Sequence, residues 1–150
     1  MPDDAAPLTP AEYEFIYSRV PRLTVEIVLR DRSGAVFLTK RAIPPCEGLW
    51  HLPGGTVRYA EPLLEAVRRI ASRELGVDVR QARSNGHIEY PSHYTKGLDS
   101  PVGIVFEVTS YSGDVRAGVE AEDGRFFSRL PDDMHADQDA YLIDHRYLPG

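Results

Sequence analysis

The residues that could do chemistry lie together in one stretch, GGTVRYAEPLLEAVRRIASRELGV, which runs from Gly54 to Val77. It combines a glycine pair, a lone acid at Glu61, a basic helical segment and a closing Glu-Leu-Gly. Glycines let the backbone approach a ligand closely, carboxylates bind hard metal ions, and arginines bind phosphate. This combination predicts a site for a metal ion and a phosphate-bearing ligand.

The spacing of these residues resembles the Nudix box, the signature of the Nudix hydrolases, which has the form G-x5-E-x7-R-E-U-x-E-E-x-G-U with U aliphatic. Six positions match it: Gly55, Glu61, Arg69, Glu74, Gly76 and Val77. The flanking segments GLWHLPGG and GRFFS are similar to flanking strands of that family, so the resemblance covers roughly residues 20 to 130. We expect Arg69 to pair with Glu61, and also with Glu65 four residues before it, and so to pin the glycine loop to the helix.

Two positions depart from the box, because Ile70 and Arg73 stand where the family has glutamates. The resemblance implies hydrolysis of a nucleoside diphosphate linked to another group, with Mg²⁺ or Mn²⁺ as cofactor. An arginine that pointed into such a site would strongly oppose a second metal ion, since unit charges of like sign repel at short range. We therefore expect a site for one metal ion.

The resemblance leaves three oxygen donors for that ion. They are the backbone carbonyl of Gly54 and the carboxylates of Glu74 and Glu120. Glu122 and Asp123 are rivals of Glu120 for this role. Ligand phosphates and water would complete the octahedral shell that magnesium prefers.

A box altered in this way resembles that of one Nudix branch, the GDP-mannose mannosyl hydrolases. Those enzymes attack the sugar carbon with inversion, so the diphosphate is only a leaving group and cations stabilise its departure. Arg41 and His93 match an arginine and a substrate-loop histidine of that branch. Thr56 replaces another arginine of the branch, and Arg58 is the candidate to substitute for it.

The general base of that branch is a histidine just before the last strand, where this chain has Ala121. Inversion requires a base that activates water on the far side of the sugar ring. Glu122, Asp123 and His93 are the candidate replacements, and the sequence does not choose among them. Glu74 is the remaining catalytic carboxylate of the helix.

The elements that must position these residues follow from apolar periodicity and from turn residues. Helices are predicted after the N-cap Thr9, over residues 62 to 75 and over residues 136 to 147. Strands are predicted at residues 23–31, 35–40, 49–53, 86–91, 102–110 and 124–130, with the first two paired as a hairpin. The predicted fold class is α/β of the α+β type, a Nudix fold with a mixed β-sheet sandwiched between α-helices.

Composition sets the remaining expectations. The 150 residues suit a single Nudix domain over residues 1 to 150, with residues 1 to 8 flexible. A net charge of -6 argues against nucleic acid as a partner, and no apolar run is long enough to span a membrane. The acidic start lacks the features of a signal peptide, so a cytoplasmic location is expected. Cys46 is expected to be an ordinary loop residue, and His135 and His145 to lie on the surface.

The sequence thus predicts a Mg²⁺-dependent Nudix hydrolase of a nucleoside diphosphate derivative, with a GDP-mannose-like nucleotide sugar cleaved at the glycosyl bond. The expected partner is a small nucleotide derivative. The family resemblance also implies a homodimer, for which Tyr13 and Tyr17 of the first helix offer a face. The alternative is a catalytically impaired Nudix-fold module that binds a nucleotide or a protein. A third interpretation, attack at phosphorus with a displaced carboxylate, is disfavoured by Arg73.

Overall fold

The computed structural model describes residues 8–44, 46–118 and 121–150, apart from the side chain of Glu122. The predicted metal ligand Glu120 and the predicted flexible segment, except for its last residue, Leu8, lie outside the described residues. The helices of the described part are α1 (Pro10–Tyr17), α2 (Leu63–Leu75), α3 (Pro91–Tyr94) and α4 (Ala136–Asp144). Its strands are β1 (Arg22–Val28), β2 (Val36–Arg41), β3 (Trp50–His51), β4 (Gly54–Thr56), β5 (Asp78–Glu89), β6 (Pro101–Ser112) and β7 (Ala121–Phe127).

The strands form two sheets. The first has the order β4-β1-β6-β5 and is mixed, because β1 runs parallel to β6 while the other pairs are antiparallel. The second has the order β3-β2-β7 and is antiparallel throughout. The predicted α+β class is confirmed, and the strands are divided between a mixed sheet and a smaller antiparallel one.

The predicted hairpin of the first two strands is wrong. β1 and β2 lie in different sheets. The turn between them holds an isolated bridge between Arg30, which lies beyond the end of β1, and Val36, with backbone hydrogen bonds from Asp31 N–H to the carbonyl of Ala35 and from Phe37 N–H to the carbonyl of Leu29. The turn does reverse the chain, but most of each strand is buried and each strand has its own two neighbours. A strand in the middle of a sheet takes partners from distant parts of the chain, and local turn chemistry does not specify those partners.

Two apolar clusters place helices on opposite sides of the first sheet. One cluster contains α2 residues such as Val67 and Leu75 together with Val25 and Ile27 of β1. The other contains Leu142 of α4 together with Val28, the next residue along β1. Successive residues of a strand face opposite sides of its sheet, so β1 contributes to both clusters. The predicted arrangement of sheet between helices is therefore confirmed.

Helix α2, which carries most of the box, ends at Leu75 as predicted and begins at Leu63, one residue after the predicted start. Pro62 is its N-cap residue and Gly76 is its C-cap residue, with a φ of 68° in the left-handed region that favours glycine. A Cβ at Gly76 would also lie 2.5 Å from Nε of Arg116, so a larger residue would meet a neighbour as well as backbone strain. This stop leaves Arg73 and Glu74 on the last turn of the helix.

Helix α1 begins with the predicted cap. The side chain of Thr9 accepts a hydrogen bond from the backbone N–H of Glu12, and the Glu12 carboxylate accepts one from the backbone of Thr9. None of the eight residues of α1 is buried, and the rings of Tyr13 and Tyr17 lie edge to face with centroids 4.8 Å apart. The face proposed for dimerisation is thus at least partly open, and the dimer itself stays a prediction.

Over the described residues, no helix is both long enough and apolar enough to cross a lipid bilayer.

We expect Ile70→Ala to lower the free energy of unfolding by about 2 to 5 kcal/mol, because it leaves a cavity in the cluster beneath α2. Ile70 is fully buried there, whereas Ser72 on the same helix is exposed. Ser72→Ala is therefore the matched control and should change stability little. Urea unfolding of the three proteins measures the difference, and equal stability would show that Ile70 is not in the core.

Candidate active site

A cleft of about 520 Å³ is lined by residues of both sheets, the last turn of α2 and the start of α4. Its volume is in the range of pockets that hold small molecules. Acidic and basic side chains share its walls. The acids are Glu26, Glu74 and Asp99, and the arginines are Arg22, Arg41 and Arg73.

Two of the three predicted metal-ligand positions, Gly54 and Glu74, line this cleft. The Glu74 side chain is 15% exposed, and its Oε1 accepts a hydrogen bond of 3.1 Å from Nη2 of Arg73. A Cβ at Gly118 would lie 3.0 Å from the other oxygen, Oε2, so the chain passes against Glu74 two residues before Glu120. Carboxylate and carbonyl oxygens suit a hard divalent cation such as Mg²⁺. The donor types at this part of the cleft therefore fit the predicted ion.

The two departures from the box have different structural consequences. Ile70 is fully buried, and a Cβ at Gly55 would lie 3.0 Å from its Cδ1. A carboxylate at position 70 in this arrangement would face apolar side chains rather than the cleft. Arg73 does line the cleft, is 53% exposed and pairs with Glu74. The last turn of α2 thus offers the cleft one acid beside one cation.

Arg69 of α2 holds the helix of the box to the preceding loop and to the glycine strand, β4, through an ion pair and a backbone contact. Nε of Arg69 donates to Oε2 of Glu61 at 2.8 Å, and Nη2 donates to Oε1 at 2.9 Å. The same Nη2 also donates to the carbonyl of Thr56 at 2.9 Å, and the backbone N–H of Arg58 donates to Glu61. These bonds agree with the structural role expected for Arg69. Glu65, the other acid within helical reach, pairs with Arg68 instead.

Glu26, a buried residue of β1, was missed by the sequence analysis. It lines the cleft beside Gly54, where an added Cβ would lie 2.2 Å from its Oε2. A single charged residue within the apolar run TVEIVL was the available signal, since a buried acid needs partners. The alternation Leu23, Val25 and Ile27 puts Glu26 on the opposite face of the strand, but it does not reveal that this face borders a cleft.

A chain of hydrogen bonds orients the Glu26 carboxyl. Its Oε1 accepts from the hydroxyl of Thr24 at 2.9 Å and from the hydroxyl of Tyr90 at 3.0 Å. Nε2 of Gln138 donates to the Tyr90 oxygen at 2.9 Å, and the backbone N–H of Leu52 donates to Oε1 of Gln138 at 2.6 Å. Burial raises the pKa of Glu26 to about 7, although the hydrogen bonds from Thr24 and Tyr90 oppose that rise.

His93, predicted from its match to the branch, also borders the cleft and is buried. Its Nδ1 lies 2.8 Å from Oδ1 of Asp99, and Arg22 donates two hydrogen bonds to Oδ2 of the same carboxylate. Burial raises the pKa of Asp99, but the hydrogen bonds from His93 and Arg22 outweigh it and hold that pKa at about 2. Asp99 is therefore a fixed anion at neutral pH.

The prediction that His135 lies on the surface is wrong, whereas His145 is exposed as expected. His135 is 6% exposed, and its Nε2 lies 2.9 Å from Nε2 of His93. Its position just before α4 gave no sign of this contact, which joins segments 42 residues apart. Burial, with His93 nearby, lowers the pKa of His135 to about 4.

The remaining predicted residues are divided between the cleft and other surfaces. Arg41 lines the cleft, and its Nε is buried without a hydrogen-bond partner among the described residues. Arg58 lies instead in a second groove, beside Ile16 of α1. Asp123 is paired with Arg125 at 2.6 Å on β7 and is not among the residues that line the cleft. For Glu122 only the backbone is described.

The structure thus brings Gly54, Glu74, Arg41 and His93 to one cleft, and does not bring Arg58 or Asp123 there.

Comparison with known proteins gives a consistent result. Residues 20–145 match the model of the NUDIX domain. Low-salt glycan biosynthesis protein Agl8 from Haloferax volcanii is 33% identical over 146 residues, which are 95% of this chain and 88% of that protein. ADP-ribose pyrophosphatase from Methanocaldococcus jannaschii is 29% identical over 107 residues, which are 71% of this chain and 62% of that protein.

Among solved structures, the MutT NUDIX hydrolase from Burkholderia pseudomallei is similar in fold. It superposes with a TM-score of 0.72 and 29% identity, over 81% of this chain and 96% of that chain. The predicted Nudix fold is confirmed by this likeness.

We expect Glu26→Gln to be more stable than the natural protein above neutral pH. The pKa of Glu26 is raised from 4.5 to about 7 in the folded protein. Between these two pH values the carboxyl is protonated in the folded protein and ionised in the unfolded chain. The resulting stabilisation is present below pH 4.5 and is lost as the pH rises through 7, a change of about 3 kcal/mol at 1.36 kcal/mol per pKa unit.

Urea unfolding with a chelator present, at about pH 5 and about pH 8, measures this change. The natural protein should lose most of that free energy between the two values, and the glutamine variant should lack this component because its amide does not ionise. The same pH dependence in both proteins would mean that Glu26 titrates normally.

Proposed function

The chain belongs to the Nudix family, and from that premise we propose that it is a Mg²⁺-dependent hydrolase of nucleoside diphosphate derivatives that cleaves a nucleotide sugar at the glycosyl bond. The observation that carries this proposal is the division of acids in the cleft. The box helix contributes the single carboxylate of Glu74, whereas the buried acid Glu26 lies on a separate strand. A reaction that needs a single metal ion, together with a base that is not a ligand of that ion, fits that division.

The names of the two relatives support the substrate class. One is named for glycan biosynthesis, and the other for hydrolysis of ADP-ribose, in which a nucleoside diphosphate carries a sugar. A nucleoside diphosphate linked to a sugar is compatible with both names. The arginines Arg22, Arg41 and Arg73 in the cleft suit the charge of its diphosphate.

The proposed metal ligands are Glu74, the carbonyl of Gly54 and Glu120. Bound Mg²⁺ would supply positive charge that offsets the charge of the diphosphate. Arg41 would add to this effect, since it lines the cleft and its Nε has no hydrogen-bond partner among the described residues. Such donors stabilise the diphosphate as it leaves.

We assign the general base to Glu26. Asp123 pairs with Arg125, which lowers its pKa and makes it a poor base. Glu26 lines the cleft, and Tyr90 and Thr24 fix its carboxyl through Oε1. In the proposed step a water oxygen bonds to the anomeric carbon, the bond from that carbon to the diphosphate oxygen breaks, and the water proton passes to Glu26. His93 is the competing base.

Product analysis in ¹⁸O-labelled water tests the reaction. With Mg²⁺ and a panel of nucleotide sugars that includes GDP-mannose, we expect labelled free sugar and unlabelled nucleoside diphosphate. Glu74→Gln should reduce kcat by about 100-fold or more because it removes a ligand to the metal. Glu65→Gln is the matched control, since Glu65 lies exposed on the same helix and pairs with Arg68.

Other products would overturn parts of this proposal. Label in a nucleoside monophosphate or a sugar phosphate would mean attack at phosphorus. Nucleotide binding without any turnover, in protein shown to be folded, would favour the binding module over the enzyme.

Glu26→Gln tests the base separately. We expect kcat to fall by about 10² to 10⁴-fold with little change in KM, because the amide keeps the hydrogen bonds to Thr24 and Tyr90 but accepts no proton. Glu89→Gln, at an exposed position of β5, is the control. Full activity in Glu26→Gln together with loss of activity in His93→Gln would assign the base to His93.

A further inference from the structure

Three side chains at one part of the cleft form a cluster that the box does not explain. They are Cys46, His93 and His135, and one potential ligand atom from each lies within 4.8 Å of the others. Nε2 of His93 lies 2.9 Å from Nε2 of His135 and 3.7 Å from Sγ of Cys46. Ligand atoms around a tetrahedral zinc ion are separated by about 3.3 to 3.6 Å, given its usual bond lengths. The two distances from Nε2 of His93 are within about half an ångström of that spacing. The Cys46 and His135 ligand atoms, at most 4.8 Å apart, would close by up to about 1.3 Å.

We propose that Cys46, His93 and His135 form a binding site for a divalent transition-metal ion of the zinc class, with the fourth coordination position facing the cleft. Two imidazoles and a thiolate are ligands that zinc accepts readily and that Mg²⁺ avoids. The site is therefore chemically distinct from the oxygen site at Glu74. It does not depend on the proposed hydrolysis.

The three ligands come from separate segments of the chain. Cys46 lies between β2 and β3, His93 belongs to α3, and His135 is the N-cap residue of α4. Both histidines are buried and Cys46 is half-buried, while all three line the cleft. A bound ion would thus cross-link these segments and stabilise one wall of the cleft. Three protein ligands and one open position are typical of zinc sites that bind a water or a substrate.

The surroundings of His93 are those of a metal ligand. Its Nδ1 is held by the Asp99 carboxylate at 2.8 Å, and Arg22 fixes Asp99 in turn. A proton on Nδ1 leaves the lone pair of Nε2 directed at the other two side chains. Carboxylate, histidine and metal occur in this order at many zinc sites, where the carboxylate sets the tautomer and orientation of the ring.

His135 has a competing hydrogen-bond arrangement in the metal-free protein. Its Nδ1 accepts from the backbone N–H of Asp137 at 3.2 Å, so its Nε2 carries the proton and donates to Nε2 of His93. Metal binding at Nε2 requires that proton to move to Nδ1, which ends the bond to Asp137. The metal-bound and hydrogen-bonded forms are therefore mutually exclusive, and the amide of Asp137 reports which one is present.

Cobalt titration of the full chain tests the site. After treatment with a chelator, we expect one Co²⁺ per chain, visible d–d bands of a tetrahedral site and a near-ultraviolet band from thiolate-to-cobalt charge transfer. Zn²⁺ should displace the cobalt, and excess Mg²⁺ should not. The Asp137 amide resonance should shift on Zn²⁺ binding.

Variants identify the ligands. Cys46→Ser should abolish the charge-transfer band and weaken binding at least about tenfold, since the loss of even an outer partner costs about 10 to 100-fold. His135→Asn should weaken binding similarly. His87→Asn is the matched control, because His87 is exposed on β5 and lies outside the cluster.

The absence of stoichiometric Co²⁺ or Zn²⁺ binding to the natural protein would overturn the proposal. So would metal binding that is unchanged in Cys46→Ser, because the ion would then lie elsewhere. If His135→Asn does not fold, as judged by circular dichroism, Cys46→Ser decides alone, since Cys46 lies outside the helices and strands. Magnesium-dependent hydrolysis by the zinc-free protein would leave the proposed function intact, so the two proposals fail separately.

Discussion

The two-point ion pair between Arg69 and Glu61 is the interaction on which the geometry of the cleft depends. Both side chains are mostly shielded from water, with 22% and 14% exposure, so the pair is screened less than a surface pair. Arg69 also holds the carbonyl of Thr56. Gly54 lies two residues before Thr56, and Glu74 lies on the same helix as Arg69. One guanidinium therefore fixes the strand and the helix that form the oxygen-rich part of the cleft.

The close contact that this pair enforces also explains where the acids lie. Gly55 packs against the fully buried Ile70, so the α2 face that meets β4 is apolar at position 70. Acid is supplied instead by β1, through Glu26, whose raised pKa reflects burial that the Tyr90 and Thr24 hydrogen bonds only partly offset. The chain has thus placed one carboxyl on the helix and another on the sheet. Their different surroundings give them different chemical properties.

The features that the sequence predicted correctly are those set by residues close together in the chain. The box spacing, the stop at Gly76 and the capping of α1 by Thr9 depend on residues close in the chain, and each of these features is present in the structure. The hairpin and the surface position of His135 were wrong because they depend on partners far along the chain, such as the β6 strand beside β1 and the His93 ring. Strand alternation revealed the face of Glu26 but not what that face borders.

Tyr90 connects the two chemically different parts of the cleft. Its hydroxyl donates to Glu26, while its ring lies edge to face with His93 and His135 at centroid distances of 5.3 and 5.4 Å. Gln138, three residues after His135, donates to the same hydroxyl. In the proposed metal-bound form, His135 would give up its hydrogen bond to Asp137 at the start of α4, the helix that also carries Gln138. Tyr90 would then contact the proposed base through its hydroxyl and the proposed metal ligands through its ring.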